Sequence, residues 1–384
     1  MKLTRLFKDF FQNEKTAGII LIICTVVSLA LSNCGFADDY PHFWHSLLGG
    51  ESLEYWINDG LMTIFFLLIG LELEREIYQG ELSNMKDAML PIFGAIGGMI
   101  LPAGIFLLFN FGTPTQSGAG IPMATDIAFA LAILALIGNR VPTSLKIFLT
   151  ALAVIDDLGA ILIIAFFYTK TIAFTNLFIS LGIFAVLLLC NRLKVRNLIP
   201  YLIGGFAMWY FMLHSGVHAT ITGVLLAFAI PFGNGDEKST SFILQHFLHK
   251  PVSFFILPLF ALANTAIVLG SDFQTILTQH YSIGIALGLI VGKPLGIFLL
   301  TYIAAAVGFC KLPEDLTWKS VVGVGFLGGI GFTMSIFITL LAFDDQTIIS
   351  NSKFIILLSS VVAGIFGFTL LKLILTKEII ETDE

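Results

Sequence analysis

Charge is scarce in this chain. Asp, Glu, Lys and Arg make up 12% of its 384 residues, while 57% are hydrophobic and mean hydropathy is +0.94. A soluble domain carries about 25% charged residues, so a soluble globular fold is excluded and a polytopic membrane protein is implied. Cysteine is also sparse. Cys24, Cys34, Cys190 and Cys310 are scattered, with no Cys-x-x-Cys and no metal spacing, and read as incidental core or helix-end residues. Soluble domains, coiled coils and low-complexity tails are all missing. So is a signal peptide: Lys2, Arg5 and Lys8 precede an apolar run at 17–31 that has no small-x-small cleavage site and reads as a retained first span. The net charge of −6 decides little, because in a membrane the sign of charge matters loop by loop.

What is present is a series of about twelve apolar runs, read as an all-α polytopic membrane protein forming one transporter domain over 1–384. The predicted spans are about 17–33, 54–76, 89–110, 120–138, 144–168, 172–190, 198–213, 216–232, 245–270, 281–307, 319–343 and 353–376. Positive charge tests this division, since loops facing the cytoplasm carry the Lys and Arg. With the N-terminus inside, seventeen of the twenty basic residues fall on inside segments, only Lys170 and Lys353 fall outside, and Lys293 lies within a span. A wrong span count would scramble that asymmetry. Both termini are therefore expected in the cytoplasm.

The stretch 144–168, SLKIFLTALAVIDDLGAILIIAFFY, organises the rest. It covers roughly 37 Å as a helix, against a hydrocarbon core of about 30 Å. Asp156 and Asp157 sit side by side at its midpoint. One ionisable residue there costs about 2.5–3.5 kcal/mol, and two adjacent like charges repel and titrate as a pair. A hydrogen-bonding strut between helices is the bland alternative; intramembrane acids are functional by default.

Two spans look interrupted. Span 4 opens GAGIPMATDIAFALAIL, where Pro122 removes an amide donor and Thr125 and Asp126 follow at once. Span 11 reads VVGVGFLGGIGFTMSIFITLL, with Gly323, Gly325, Gly328, Gly329 and Gly331 in nine residues and Thr333 next. One such glycine is a packing notch; five together predict a broken helix, at about 1 kcal/mol of lost propensity each. Unwound backbone at membrane depth survives only where it lines a cavity or is buried in protein. Broken helices at matching places in two halves point to inverted repeats, here about 89–168 and 281–376. Lys293, in LIVGKPLGIF of span 10, lies about twelve residues into its span and is followed by Pro294. It must pair, snorkel or lose its proton, and Asp156, Asp157 and Asp126 are its natural partners. A purely structural ion pair and a role in tuning those carboxylates both remain open.

The chain resembles the NhaA family of bacterial sodium/proton antiporters over nearly its whole length. The stretches that carry the resemblance are WINDGLMTIFFLLIGLE, AIGGMILPA, IPMATDIAFALAILAL, ALAVIDDLGAILIIA, SGVHATITGV, GKPLGI and GIGFTMSIFI, in that order. The resemblance implies a core of crossed, interrupted helices from spans 4 and 11. It makes Asp156 and Asp157 the carboxylates that take Na+ or H+, with Asp126, Thr125, Thr333 and Lys293 in support. Lys293 would pair with Asp156. Pro122, Gly328, Gly329 and Gly331 would mark the interruptions. It further implies an electrogenic exporter of Na+, and of Li+, driven by H+ entry, in the bacterial cytoplasmic membrane and serving sodium and pH homeostasis. No cofactor and no nucleic-acid partner is expected. The loop at 34–52, polar and without Lys or Arg, corresponds to a dimer contact in the family. Glu72, Glu76, His246 and His249 would lie at the mouth where the family is thought to sense pH. His218 is either a helix–helix strut or part of that response. Here the chain departs from the best-known member, with Gln245 in place of a glutamate and Glu74 in place of a lysine. That leaves the pH profile open and the transport core untouched. For Asp59, near the outer end of span 2, a local hydrogen-bonding role is expected.

The chemistry fits the residues. Na+ is a hard cation that takes oxygen ligands, which carboxylates, a threonine hydroxyl and freed carbonyls supply, and protons compete for the same carboxylates. An intramembrane aspartyl protease would need aspartates on two helices, one in a Gly-x-Gly-Asp context that the chain lacks. A sodium-coupled solute symporter would need an organic-substrate pocket, for which there is no clear signature.

Overall fold

The structure is a computed structural model. It describes residues 2–34, 39–169, 172–268 and 273–382, with side chains of 1–14, Glu81, 85–87, Asn139 and 376–382 left aside. Lys170 and Asp38, and the side chains of Lys2, Arg5, Lys8, Lys86 and Lys377, therefore lie outside the described residues. Within them the fold is all-α apart from one small hairpin. The helices are α1 (Lys2–Asn33), α2 (Asp39–Trp44), α3 (Leu53–Tyr78), α4 (Met85–Asn110), α5 (Ile127–Ile137), α6 (Thr143–Phe167), α7 (Phe174–Arg192) and α8 (Ile199–Leu213). They continue with α9 (Ile221–Ala229), α10 (Thr240–Asn264), α11 (Phe273–Thr278), α12 (His280–Val307), α13 (Trp318–Gly328), α14 (Phe332–Ala342) and α15 (Gln346–Thr382). Nine described helices are long and apolar enough to cross a membrane, counting the 22-residue Gln116–Ile137 as one, and the bent pair α13–α14 makes ten. The expected spans 7 and 8 are present only as short helices, the 15 residues of α8 and the nine of α9, so a count of twelve depends on those two.

Several boundaries move. Span 9 begins earlier than expected, at Thr240, because Ser239 caps the helix by accepting the Phe242 N–H. Span 12 begins at Gln346. The Asp345 carboxylate accepts the N–H groups of Ile348 and Thr347 there, which holds it below the usual carboxylate range. Lys353, read from sequence as an outer-segment lysine, is consequently inside α15, buried, and donates to Asn264 Oδ1 at 3.3 Å. The loop at 34–52 is partly ordered structure: Leu47–Leu48 (β1) pairs antiparallel with Glu51–Ser52 (β2). Gly49 and Gly50 turn between them with φ of +67° and +101°, as a two-residue hairpin demands.

Three helices contain a wide π turn: Trp56–Leu61 in α3, Val252–Ile256 in α10 and Gly288–Gly292 in α12. Proline explains two of them. Its ring clashes with the carbonyl four residues back, and Pro258 and Pro294 put that carbonyl inside the second and third turns. Asp59 sits in the first, where its own backbone carbonyl accepts the Thr63 hydroxyl at 2.5 Å and the Trp209 indole N–H at 3.3 Å.

Contacts divide the chain into two compact units. One comprises Met1–Ala37, Asn84–Ala160 and Asn264–Glu384; the other comprises Asp38–Ser83 and Ile161–Ala263. In the first, α4 and α12 meet backbone to backbone. A Cβ on Gly97 would overlap the Gly296 carbonyl and reach Leu300, and a Cβ on Gly296 would overlap the Gly97 carbonyl and reach Leu101. The contact is reciprocal, as at a two-fold axis. In the second unit Gly70 of α3 plays the same close-packing part against Val224 and Ala227 of α9.

Gly97→Val and Gly296→Val should each destabilise the protein by about 3 kcal/mol or more, since neither backbone can retreat. Gly104→Val, on the same helix with open space around it, should be tolerated. Thermal unfolding of the purified protein in detergent checks this; equal melting temperatures for all three would refute the close crossing.

Candidate functional site

Both interruptions are present, and both lie in the first unit. Span 4 is a 3₁₀ segment, Gln116–Met123, then extended residues at 124–126, then α5. Pro122 therefore lies inside the first half, and the chain opens just after it. Span 11 is α13 and α14, inclined at 48° about the break at 329–331. The five-glycine cluster is not uniformly unwound. Gly323 and Gly325 are helical and act as notches, against Leu371 and the Pro294 Cα respectively. Gly328 closes α13, and only Gly329 and Gly331 belong to the break.

Each cut leaves helix ends whose backbone groups need partners. Asp126 meets two of them at once. One carboxylate oxygen caps α5 by accepting the Phe129 N–H at 2.9 Å. The other accepts the Thr333 N–H at 3.1 Å and the Thr333 hydroxyl at 2.5 Å, at the start of α14. The Asp126 N–H returns the bond, donating to the Ile330 carbonyl at 2.7 Å. Two positive helix N-termini thus converge on one buried carboxylate, which suits their dipoles. Nearby, the Ser335 hydroxyl donates to the Ile121 carbonyl at 2.7 Å, and the Phe332 N–H donates to Ser360 Oγ at 3.1 Å.

The opposite ends are answered by cation and hydroxyl. The Lys293 ammonium donates to the Met123 carbonyl, where the 3₁₀ half of span 4 ends. It also donates to Asp156 Oδ2 at 2.5 Å, in a fully buried ion pair. Thr125 Oγ1 lies 2.7 Å from Asp156 Oδ2 and 2.8 Å from the Gly328 carbonyl at the end of α13. A hydroxyl has one hydrogen, so Thr125 serves only one of these acceptors at a time. Asp157 is the next residue on α6 and is also buried. The other oxygen of Asp156, Oδ1, has no hydrogen-bond partner among the described residues. A buried, unsatisfied anionic oxygen is costly and is a natural seat for a small cation or proton. Among the described residues no three His, Cys, Asp or Glu side chains cluster as a metal site, so any donor set here must mix carboxylate with hydroxyl and carbonyl oxygen.

The structure thus brings together Asp156, Asp157, Thr125, Lys293, Asp126, Thr333 and Gly328. The remaining candidates lie in the second unit. His218 Nε2 is 3.0 Å from the Tyr168 carbonyl. His246 stacks on Phe242, with ring centroids 6.2 Å apart. Glu72 and Glu76 are half-buried, whereas Glu74 between them is buried with Oε2 unpartnered among the described residues. Sequence reasoning missed the Met123, Gly328 and Ile330 carbonyls, since backbone acceptors carry no residue signature. It also missed Ser360, one serine among many.

The family model described as Na+/H+ antiporter 1 matches residues 8–371. A protein of Flavobacterium psychrophilum named Na(+)/H(+) antiporter NhaA is 76% identical over 381 residues, covering 99% of both chains. Proteins with the same name from Dechloromonas aromatica and Aliivibrio salmonicida are 59% and 47% identical, covering 96% and 97% of this chain and 95% and 98% of theirs.

Lys293→Met should cost about 3–5 kcal/mol, because it strands the buried Asp156 charge. The double variant Lys293→Met/Asp156→Asn should recover part of that loss. Unfolding midpoints at pH 8 for both single variants and the double complete the cycle; strictly additive losses would mean that the pair is not coupled.

Proposed function

The chain belongs to the Na+/H+ antiporter 1 family, and from that premise we propose that it is an electrogenic secondary antiporter exporting Na+, and Li+, in exchange for H+ entry. It would work in the bacterial cytoplasmic membrane, in sodium and pH homeostasis. The observation that carries the reading is the buried Asp156–Lys293 pair, with Asp157 beside it, at the point where two helices are broken. Asp156 and Asp157 are the load-binding carboxylates. Na+ takes oxygens from them, from Thr125 and from carbonyls released by the breaks, and Li+ suits the same hard donors. Protons compete for the same carboxylates. If the site crosses the membrane readily only when neutralised, by Na+ or by H+, exchange follows without a further device. Asp126 and Thr333 keep the crossing together, and Lys293 balances the helix ends and Asp156. If more protons enter than Na+ leaves, each net charge gains about 2.3 kcal/mol per 100 mV.

The reading extends to architecture. The repeats about 89–168 and 281–376 each hold three spans with the middle one interrupted, and the reciprocal Gly97–Gly296 contact supports a two-fold relation between them. The distribution of Lys and Arg supports cytoplasmic termini. Glu72, Glu76, His218, His246 and His249 are the groups for a pH response, since histidine changes charge near neutrality. A homodimer through the 34–52 loop is supported by the hairpin, whose Leu47 and Leu48 are exposed beside an open strand edge.

Everted vesicles with an imposed pH gradient test the core reading. Na+ should dissipate the gradient in wild type, and Asp157→Asn should bring that response to background. The wild-type rate should fall towards acid pH, as protons occupy the carboxylates. A requirement for an organic solute, or full exchange in Asp157→Asn, would overturn the reading. The dimer is tested separately by Leu47→Asp/Leu48→Asp, which should shift the solubilised particle to the 41.9 kDa single chain in light scattering. A wild type already at that mass would refute it.

A further inference from the structure

We propose that Ser360 is a positioning residue for the ion site, holding the first turn of α14 so that Thr333 meets Asp126; this rests on the antiport reading above. The start of α14 is buried, and its leading N–H groups have no partner within the helix. The residue before it, Gly331, has no side chain with which to cap. Ser335 N–H makes the first ordinary helical bond, to the Gly331 carbonyl at 2.8 Å, and two of the groups before it find acceptors outside the helix: Thr333 N–H goes to Asp126, and Phe332 N–H goes to Ser360 Oγ on α15 at 3.1 Å. Ser360 thus supplies from a neighbouring helix the cap that the local sequence lacks, and the residue is buried.

Its place in the fold is distinctive. Asp157 stands fourteen residues after Thr143, the first residue of α6, and Ser360 stands fourteen after Gln346, the first residue of α15. The second half of the first unit therefore carries Ser359–Ser360 where the first half carries Asp156–Asp157. In each half the pair bonds to the interrupted span of its own half: Asp156 to Thr125, Ser360 to Phe332. The second pair is neutral. Asp126 is consequently the one described anion bonded to the start of α14, and the cation-binding charge stays on α6. Loss of the Ser360 hydroxyl leaves the Phe332 N–H buried and unpaired, lets α14 slip against α15, and loosens Thr333 from Asp126.

The test is Na+ dependence of exchange in proteoliposomes. Ser360→Ala should raise the apparent KM for Na+ about fivefold or more, the scale of one buried donor left unpaired, with maximal rate within about twofold. Ser360→Thr, which keeps the hydroxyl, should restore the wild-type KM, while Ser359→Ala, an equal truncation one residue away, should leave it alone. Should Ser360→Ala fail to fold, Ser360→Cys keeps the volume with a weaker acceptor and should give an intermediate KM. An unchanged KM in whichever of the two folds, a threonine variant as impaired as alanine, or an equal effect of Ser359→Ala would overturn the proposal. Wild type without Na+-driven exchange would instead sink the antiport reading itself.

Discussion

A helix cut inside a bilayer must have its cut ends answered by protein, because no water is there to do it. The bonds described at the two breaks serve that constraint. Asp126 accepts from the starts of α5 and α14, Ser360 takes a further N–H of α14, and Lys293 and Thr125 donate to the ends of the 3₁₀ segment and α13. Anionic oxygens face helix starts, and the cation faces a helix end, so the dipoles and the side chains agree in sign. The breaks survive because side chains at the break of span 4 itself, on α12 and on α15 replace the lost ladder bonds. Remove the breaks and the carbonyls that they expose would return to intrahelical bonds, leaving the acid pair without neighbouring oxygens.

The electrostatic balance follows. Lys293 offsets one of the two carboxylates on α6, and Asp126 is held by N–H and O–H donors. Three carboxylates against one ammonium leave the site net negative when both members of the pair are ionised, at a place where an uncompensated charge costs several kcal/mol. A monovalent cation lowers that excess, and so do protons taken up by the carboxylates. On the proposed reading, competition between the two loads follows from this negative balance and needs no separate recognition element for each. Thr125 is poised at this balance, because its one hydrogen is shared between Asp156 and the backbone of α13. On the proposed reading, a load at Asp156 weakens the carboxylate's hold on that hydrogen and favours its bond to Gly328, which would link occupancy of the acid pair to the second broken helix.

Much of this was legible in the sequence, for physical reasons. A charge within a long apolar run is conspicuous because the bilayer makes it expensive, so Asp156, Asp157, Asp126 and Lys293 stood out. The interruptions were marked by Pro122 and by glycine. Less legible was which glycines break the chain: Gly323 and Gly325 lack a side chain for packing against Leu371 and Pro294, and that need looks the same in sequence as a need to unwind. Hydropathy overextended α9, since 216–220 and 230–232 flank the helix without joining it. The hairpin at 47–52 was hidden because two-residue strands carry no period to read. Lys353 was misplaced because Asp345 starts the helix earlier than the hydropathy rises, and a capping aspartate beside polar residues resembles a loop.

The proposed pH response and the proposed ion site draw on different residues. The acid pair, Lys293 and the crossing all lie in the first unit, whereas Glu72, Glu76, His218, His246 and His249 all lie in the second. A group that acts through the conformational balance shifts it only by as much as its proton affinity differs between the arrangements. One unit of pKa difference is about 1.4 kcal/mol, or tenfold in the population ratio, per group. Two or three such groups acting together would suffice for a steep dependence, and no single one need be essential. On the proposed reading, protons at the acid pair act differently, by direct competition with Na+, so that raising Na+ would restore the rate. The two effects are separable in kind: competition changes the apparent KM for Na+, while a shift in the second unit changes the fraction of molecules able to turn over.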